Sequence, residues 1–304
     1  MSEPVRRSSA PWSFRLAKLL IRTGLPGGYR LLDIARRRGW LDCLVRFRIG
    51  AGVDIHVPLY RPENPWDRRD VLEYDPPLID DLVQAAARLP APRVLVDCGA
   101  DIGTVSVLVA ARDPGLTRII AFEPNADAFP VLKSNIGGLP IAGEARPAGV
   151  GASAGRGRLR SPSHDRTAHA MFMETTPDGD IEIACIDDLA IDPNGGLILK
   201  VDVEGGELDV LKGAVETLRA ASAFAVSFEA QIDQFERTGI EPMEILRFLR
   251  AIRPCRFHVS DLPGLKLDPD RPFFAQIDQP QSFGYNILCY TDPADLDGAP
   301  SRGL

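Results

Sequence analysis

One strand that ends in a glycine turn constrains the fold of this 304-residue chain more than any other stretch. Residues 94–96 are apolar, Asp97 follows them, Gly99 and Gly103 bound the turn, and apolar residues recur at helical spacing from Thr104. A strand, a glycine turn and a helix in this order open a doubly wound α/β sheet. Glycine suits such a turn because the backbone bends sharply and a ligand must approach it closely. The stretch therefore predicts an α/β fold with a ligand site at this turn.

The spacing of the two glycines favours one cofactor over another. Dinucleotide-binding turns carry the pattern G-x-G-x-x-G, whereas this turn has only Gly99 and Gly103, with Asp97 two positions before the first. That arrangement fits S-adenosyl-L-methionine (SAM) better than NAD. Two alternatives stay open at this point: an NAD-linked oxidoreductase on the same sheet, and a strand-to-helix turn that binds no ligand.

A second strand, predicted over 118–122, ends in Glu123, twenty residues after Gly103. An acid at the tip of the second strand is where ribose hydroxyls are bound. The structural alternative is a carboxylate placed at a helix N-terminus. A weak third strand at 145–150 leads into a glycine-rich turn at 149–153 that suits the flat face of an adenine. We therefore expect Val150 to contribute to the cofactor site.

The predicted strand at 197–204 carries charges where a central strand should be apolar. Side chains alternate between the two faces of a strand, so Lys200, Asp202 and Glu204 share one face and crowd towards its carboxyl end. Buried charges are costly unless they are paired or functional, and ligands bind at this end of such sheets. We predict that these three residues form the catalytic group, with a structural Lys–Asp–Glu network as the alternative.

The rest of the C-terminal pattern completes a seven-stranded sheet. Strands and helices alternate up to a late pair of strands at 256–259 and 284–290, the last of which we expect to insert antiparallel. The segment 155–180 is rich in Gly, Ser, Pro, Arg and Asp, which predicts an exposed excursion that contains His164 and His169. A strand is predicted at 181–186.

Charge divides the chain into two parts. The first 50 residues hold eleven Arg and Lys against three acids, a net charge of +8, whereas the whole chain carries −7 and the remainder therefore −15. An acidic body of this kind argues against nucleic acid as a partner.

An amphipathic helix opens the N-terminal part. Its apolar side chains share one face: Trp12, Leu16, Leu19 and Leu20. A second helix at 30–38, a β-hairpin at 45–57, a polar loop at 60–76 and a lead-in helix at 78–89 follow. Two interpretations of the apolar face stay open: peripheral contact with an anionic membrane surface, and packing on the catalytic domain.

Composition narrows the class of protein further. We find no apolar run long enough to span a bilayer and no secretory signal after the first methionine. The five cysteines are dispersed without a C-x-x-C pair, so we predict neither metal ligands nor a disulfide framework. These features together predict a cytoplasmic protein with reduced thiols.

At this point the residues match a known family: the sequence resembles the FkbM family of SAM-dependent methyltransferases. The matching pieces are VDCGADIG at 96–103, AFEPN at 121–125, LKSN at 132–135, DDL at 187–189, LKVDVEGGE at 199–207, LKGA at 211–214 and FE at 228–229. Two positions depart from the family pattern, Asp101 in place of Asn and Gly206 in place of a small non-glycine residue. The resemblance covers about 90–230, and the first 90 residues match only loosely.

The resemblance implies a Rossmann-like, seven-stranded class I methyltransferase sheet, here with an N-terminal helical and β-hairpin extension. It implies that Asp97, Gly99, Ala100 and Gly103 cradle the methionine part of SAM and that Glu123 binds its ribose. We accordingly divide the chain into an N-terminal extension (1–89), a methyltransferase domain (90–290) and a polar tail (291–304).

The predicted function is transfer of a methyl group to a hydroxyl of a sugar, glycan or secondary metabolite. The alternatives are a non-catalytic SAM- or acceptor-binding subunit of a glycan-assembly complex, and an NAD-linked oxidoreductase. The proton acceptor is predicted to be Asp202 or Glu204. Alternatives are a divalent ion held by Asp202, Glu204 and Glu229, or a histidine, His164 or His169, on the excursion. The oligomeric state is not predicted.

Overall fold

The computed structural model describes residues 5–50, 52–60, 65–161, 171–268, 270–278 and 284–291. The helices in these ranges are α1 (Trp12–Arg22), α2 (Gly28–Arg37), α3 (Arg68–Leu72), α4 (Pro76–Arg88), α5 (Thr104–Arg112), α6 (Phe129–Gly137), α7 (Glu207–Lys212), α8 (Val215–Ala220), α9 (Ile232–Thr238) and α10 (Pro242–Ile252). The strands are β1 (Val5–Arg7), β2 (Cys43–Gly50), β3 (Val53–Pro58), β4 (Arg93–Cys98), β5 (Leu116–Phe122), β6 (Ala142–Arg146), β7 (Ala148–Val150), β8 (Gly155–Arg160), β9 (Phe172–Thr175), β10 (Ile181–Ala184), β11 (Gly196–Val201), β12 (Ala223–Ala230), β13 (Arg256–Val259) and β14 (Tyr285–Tyr290).

Seven strands form the central sheet, in the order β13-β14-β12-β11-β4-β5-β6. All neighbours are parallel except β14, which runs antiparallel between β12 and β13. This confirms the predicted Rossmann-like seven-stranded fold with an inserted antiparallel strand. The chain runs outward from β4 to β6 and then returns to β11, so strand order reverses between β4 and β11. Ligands bind at the carboxyl ends of the strands at such a reversal.

The central strands are apolar on both faces because helices cover the sheet from both sides. Val96 and Leu199 belong to a core shared with α7, α8 and α10. Leu95 and Ile198 belong to a second core shared with α4, α5 and α6. All four are almost completely buried, and each side chain of this kind contributes about 2 kcal/mol of apolar burial. The sheet is therefore a rigid base for the groups at its carboxyl edge.

The β2–β3 hairpin of the N-terminal extension packs on the methyltransferase sheet through its own apolar face. Val53, Ile55 and Val57 belong to the core that contains α5 and α6. Asn135 in α6 fastens the hairpin, since its side chain accepts from the His56 amide at 2.7 Å and donates to the His56 carbonyl at 2.9 Å. The predicted boundary between the N-terminal extension and the methyltransferase domain, between residues 89 and 90, remains a prediction.

A second, four-stranded sheet contains residues that the sequence predicted to belong to a third strand of the central sheet and to an exposed excursion. Its order is β7-β10-β8-β9. The weak third strand predicted at 145–150 is two strands, because Pro147 has no amide hydrogen to continue the ladder, and only β6 stays in the central sheet. The excursion predicted at 155–180 contains the β8–β9 hairpin, and His164 and His169 lie outside the described residues. None of the described helices is both long and apolar enough to cross a membrane.

Candidate active site

A cleft of about 420 Å³ lies at the carboxyl ends of the central strands, beside the β4–β11 reversal. Seven of the nine predicted site residues line it: Gly99, Ala100, Glu123, Val150, Lys200, Asp202 and Glu204. The other two do not. Asp97 is fully buried in β4, and Gly103, with a φ of +86°, turns the chain into α5.

Gly99 brings the ends of two neighbouring strands into backbone contact. Its φ is +77°, and a Cβ added there would lie 1.8 Å from the carbonyl oxygen of Asp202. The amides of Gly99 and Ala100 both donate to the carbonyl of Phe122, at 3.1 and 2.9 Å. Glycine is therefore required at this position by the packing of the β4 turn against the end of β11.

Lys200 lies opposite Asp97 in the register of β11 and β4. Its Nζ donates to the carbonyl of Gly99 at 2.7 Å and lies 3.3 Å from Asp97 Oδ1 and 3.2 Å from Asp202 Oδ2. Burial alone would lower the pKa of Lys200, but the carboxylates of Asp202 and Asp97 outweigh burial and hold the pKa well above its usual value. The Lys200 ammonium therefore stays charged and is no proton acceptor.

Asp97 supports the turn from inside the protein. Its Oδ2 accepts a hydrogen bond of 2.7 Å from Ser106 Oγ in α5. Within the described ranges its Oδ1 makes no hydrogen bond, so the Lys200 ammonium is the counterion of that oxygen. These contacts connect β4, α5 and β11 behind the cleft and fix the geometry of the turn.

Glu123 is held at the tip of β5 by two backbone amides. The amide of Asp101 donates to Oε2 and the amide of Asn125 donates to Oε1, each at 2.7 Å. Burial raises the pKa of Glu123 to about 7. A carboxylate oxygen has lone pairs beyond the one that each amide uses, so this carboxyl group can accept further hydrogen bonds from hydroxyl groups in the cleft.

This half of the cleft fits SAM. Thr104 Oγ1 is buried, lines the cleft and has no hydrogen-bond partner among the described residues, so it adds a polar group to Glu123 and the Gly99 backbone. Gly149 and Val150 provide an apolar surface, where a Cβ at Gly149 would approach Met173 Cε to 2.7 Å. Polar groups suited to an amino acid and a ribose thus occur together with a surface suited to adenine.

The acidic residues lie just beyond β11, and the strand is shorter than the sequence predicts. It ends at Val201, so Glu204 is not on the strand face shared by Lys200 but in the turn that follows. There its φ is +61°, and Gly205 follows with a φ of +100°. The close contact between Gly99 and the Asp202 carbonyl ends the regular ladder at this point.

The turn brings three carboxylates together. Asp202, Glu204 and Glu229 each offer an oxygen, and these oxygens lie within 4.8 Å of one another. Burial, with the neighbouring charge of Asp202, raises the pKa of Glu204 to about 8 and that of Glu229 well above its usual value. Gln234 donates to Glu204 at 3.3 Å, and Gln231 donates to Glu229 at 2.6 Å. The cluster therefore contains carboxyl groups that can hold a proton near neutral pH.

Two aromatic residues from the N-terminal extension complete the cleft wall. The rings of Trp66 and Tyr74 lie 5.4 Å apart and both line the cleft. Burial raises the pKa of the Tyr74 hydroxyl, so this group stays protonated. Sequence reasoning placed both residues in a polar loop and assigned them no role. The available signal was the presence of large aromatic side chains in an otherwise polar, proline-containing segment.

Comparisons with known proteins agree with this geometry. The model of the methyltransferase FkbM domain matches residues 97–259. The hexuronic acid methyltransferase AglP of Haloferax volcanii is 29% identical over 160 residues, which are 51% of this chain and 61% of that protein. The methyltransferase sdnD of Sordaria araneosa is 27% identical over an alignment of 191 positions, and the match covers 51% of this chain and 71% of that protein.

One solved structure, also described as an FkbM methyltransferase, has a lower sequence identity to this chain than these two relatives. Methyltransferase FkbM from Methylobacillus flagellatus KT is 16% identical, with coverage of 91% of this chain and 76% of that chain and a TM-score of 0.40. This likeness carries no argument about the site. The family model, by contrast, matches more than half of the chain. The chain therefore belongs to the methyltransferase FkbM family.

Proposed function

We propose that this enzyme methylates a hydroxyl group of a sugar or a secondary metabolite, with Glu204 as the proton acceptor. One observation carries the proposal: the carboxyl group of Glu204, whose pKa burial raises to about 8, lies in the cleft wall beside Asp202. A hydroxyl is a poor nucleophile until its proton is removed, and a base with a pKa near the working pH removes it best.

The cofactor half of the cleft is assigned as the sequence predicts. Glu123 would accept hydrogen bonds from the ribose of SAM, the backbone of Gly99 and Ala100 would hold its methionine part, and Val150 would contact its adenine. Asp97 and Gly103 shape the turn without lining the cleft. When bound, SAM supplies a methyl group that is already activated for transfer. The protein's task is then to align the acceptor oxygen and to exclude water.

Asp202 and Glu204 have different roles at the acceptor oxygen. Asp202 is ion-paired with Lys200 at 3.2 Å, and its carboxylate oxygens accept from the hydroxyl and orient it. Glu204, whose pKa burial and the charge of Asp202 raise despite the nearby charge of Arg237, takes the proton. Lys200 is a positioning residue, because its ammonium is used by Gly99, Asp97 and Asp202.

The acceptor half of the cleft has the side chains that bind polyhydroxylated rings. Trp66 offers an apolar ring face, while Glu229 and Gln231 offer an acid and an amide for hydroxyl groups. The relative from Haloferax volcanii is named for a sugar acid acceptor, which supports a sugar as the acceptor class here. Between a sugar and a secondary metabolite, this combination of groups favours the sugar.

The test is methyl transfer from SAM with a labelled methyl group to a panel of sugars and to extracted glycans and lipids, followed by mass spectrometry. We expect label on a hydroxyl oxygen, located by fragmentation of the product. Transfer only to nitrogen, sulfur or carbon would overturn the proposal. Addition of a chelator tests the alternative that a divalent ion held by Asp202, Glu204 and Glu229 acidifies the hydroxyl: turnover that needs the ion would replace Glu204 as the proton acceptor.

A further inference from the structure

The apolar face of α1 is exposed to solvent. The helix packs on the protein through its opposite side, where Phe14 and Ala17 are buried, whereas Trp12, Leu16 and Leu19 are 69%, 41% and 58% exposed. At 3.6 residues per turn these three side chains fall within a stripe about 60° wide. We call them the α1 stripe. Three of the four side chains of the predicted face are thus exposed instead of packed on the catalytic domain, whereas the fourth, Leu20, is half-buried.

More apolar surface adjoins the C-terminal end of α1. Leu25, in the connection to α2, is 56% exposed, and Tyr29, in the first turn of α2, is 74% exposed. Single exposed apolar residues are ordinary, but a tryptophan, a tyrosine and several leucines on two adjacent helices form a surface that marks an interaction site.

Basic residues of two kinds surround this surface. Lys18 and Arg22 fasten α1 to the rest of the protein, through ion pairs of 2.8 Å with Asp70 and Asp67. A second group is exposed and has no carboxylate within 4.0 Å in the described part of the chain: Arg15, Arg30 and Arg38. Ion pairs thus hold α1 in place, while Arg15 on α1 and Arg30 and Arg38 on α2 leave positive charge on the two helices that carry the apolar surface.

We propose that the α1 stripe docks this protein on the surface of an anionic phospholipid bilayer. A helix with an apolar stripe, a tryptophan and flanking arginines lies in the plane of the interface, with its apolar side among the acyl chains. Each basic residue near an anionic surface adds about 1 kcal/mol of attraction. A second copy that docked through the same face would bring Arg15, Arg30 and Arg38 against their own counterparts, and like charges repel.

The experiment is co-sedimentation of the full chain with vesicles of phosphatidylcholine that contain about 30% phosphatidylglycerol, compared with phosphatidylcholine alone. We expect binding to the anionic vesicles, weakened as salt is raised. A stripe variant replaces Trp12, Leu16 and Leu19 by Gln and should bind at least about tenfold more weakly. A charge variant replaces Arg15, Arg30 and Arg38 by Gln and should lose at least about tenfold as well.

A control variant removes the same charge from basic residues that are paired with carboxylates outside the N-terminal helices: Arg112, Lys212 and Arg219. It should bind vesicles nearly as the parent does. SAM binding should be unchanged in all three variants, because none of the substituted residues lines the cleft, and this shows that they are folded. Absence of binding at low salt, or equal binding of stripe variant and parent, would overturn the proposal. So would a dimer in light scattering that the stripe variant abolishes.

Discussion

The Nζ atom of Lys200 donates a hydrogen bond of 2.7 Å to the carbonyl of Gly99, across 101 residues of sequence. The two strands on either side of the β4–β11 reversal are therefore joined by side chain to backbone as well as by their ladder. Both halves of the cleft are built on these two strand ends. Changes at either residue should consequently affect stability and cofactor binding together.

Replacement of Gly99 by Ala should destabilise the protein by roughly 3 kcal/mol or more, because the new Cβ cannot be placed 1.8 Å from the Asp202 carbonyl. Urea unfolding measures the change, and calorimetry should show lost SAM affinity. Gly239→Ala is the matched control, since its φ of +71° is similar and nothing lies within 4 Å of its Cβ. It should cost only about 1 kcal/mol, from backbone strain. Equal losses in the two variants would refute the steric explanation.

Removal of the Lys200 ammonium should leave buried Asp97 without its counterion. We expect Lys200→Met to lower the free energy of unfolding by about 3–5 kcal/mol. Lys212, which is paired with Asp209 at 2.9 Å on the surface, offers a control, and Lys212→Met should change stability by no more than about 0.5 kcal/mol. A Lys200→Met protein as stable as the parent would show that the buried network does not stabilise the fold.

Turnover should depend on the ionisation of Glu204. A base acts only when deprotonated, so kcat should rise with pH through about 8, the raised pKa of this carboxyl group, and level off above it. Glu204→Gln should lower kcat by about 10²–10⁴-fold and remove this rise, while SAM affinity is retained. Glu216→Gln, on the surface, is the control. Parental turnover by Glu204→Gln would move the proton acceptor elsewhere.

The pH dependence of stability should reveal the buried Glu207. Its Oε1 accepts from the Gly205 amide at 2.9 Å, yet burial outweighs such bonds and raises its pKa from 4.5 to about 7. The folded state therefore favours the protonated acid. Its contribution to stability is complete below pH 4.5 and is lost as the pH rises through about 7.

We expect Glu207→Gln to reduce this loss, which we place at roughly 3 kcal/mol. Thermal unfolding of the SAM-free protein across this pH interval measures it. The exposed Glu216→Gln protein should follow the parent. A parental slope in Glu207→Gln would assign the pH dependence to other acids.

Local pattern was sufficient to predict the strand, glycine turn and helix that border the cleft. The strand before Gly99 and the acid after β5, Glu123, sit within one strand–turn–helix unit and its successor, where short-range rules apply. The end of β11 was predicted three residues late, because the contact between Gly99 and the Asp202 carbonyl joins positions about a hundred residues apart. The spacing of residues within one segment of the sequence cannot reveal such a long-range contact.

The residues of the acceptor half are brought together by packing between distant segments. The sequence of a single segment does not reveal this packing. Trp66 and Tyr74 approach the cleft because α4 and the β2–β3 hairpin place their loop beside the sheet. Strands β8 and β9 pair with each other, and β8 also pairs with β10. The sequence predicted a loop here because the segment 155–180 is rich in glycine, serine and proline, which favour loops. In both cases tertiary contacts outweighed local composition.

The wall made by Trp66 and Tyr74 comes from a part of the chain that precedes residues 97–259, the range shared with the family. Part of the proposed acceptor half thus lies outside the stretch that the family shares, whereas Glu229 and Gln231 lie within it. Substitutions in the aromatic wall can leave the glycine turn and Glu123 unchanged. The acceptor can then change while the methyl-transfer reaction stays the same. We expect members that share the later stretch but differ at 65–74 to inherit the reaction and to exchange the molecule that receives the methyl group.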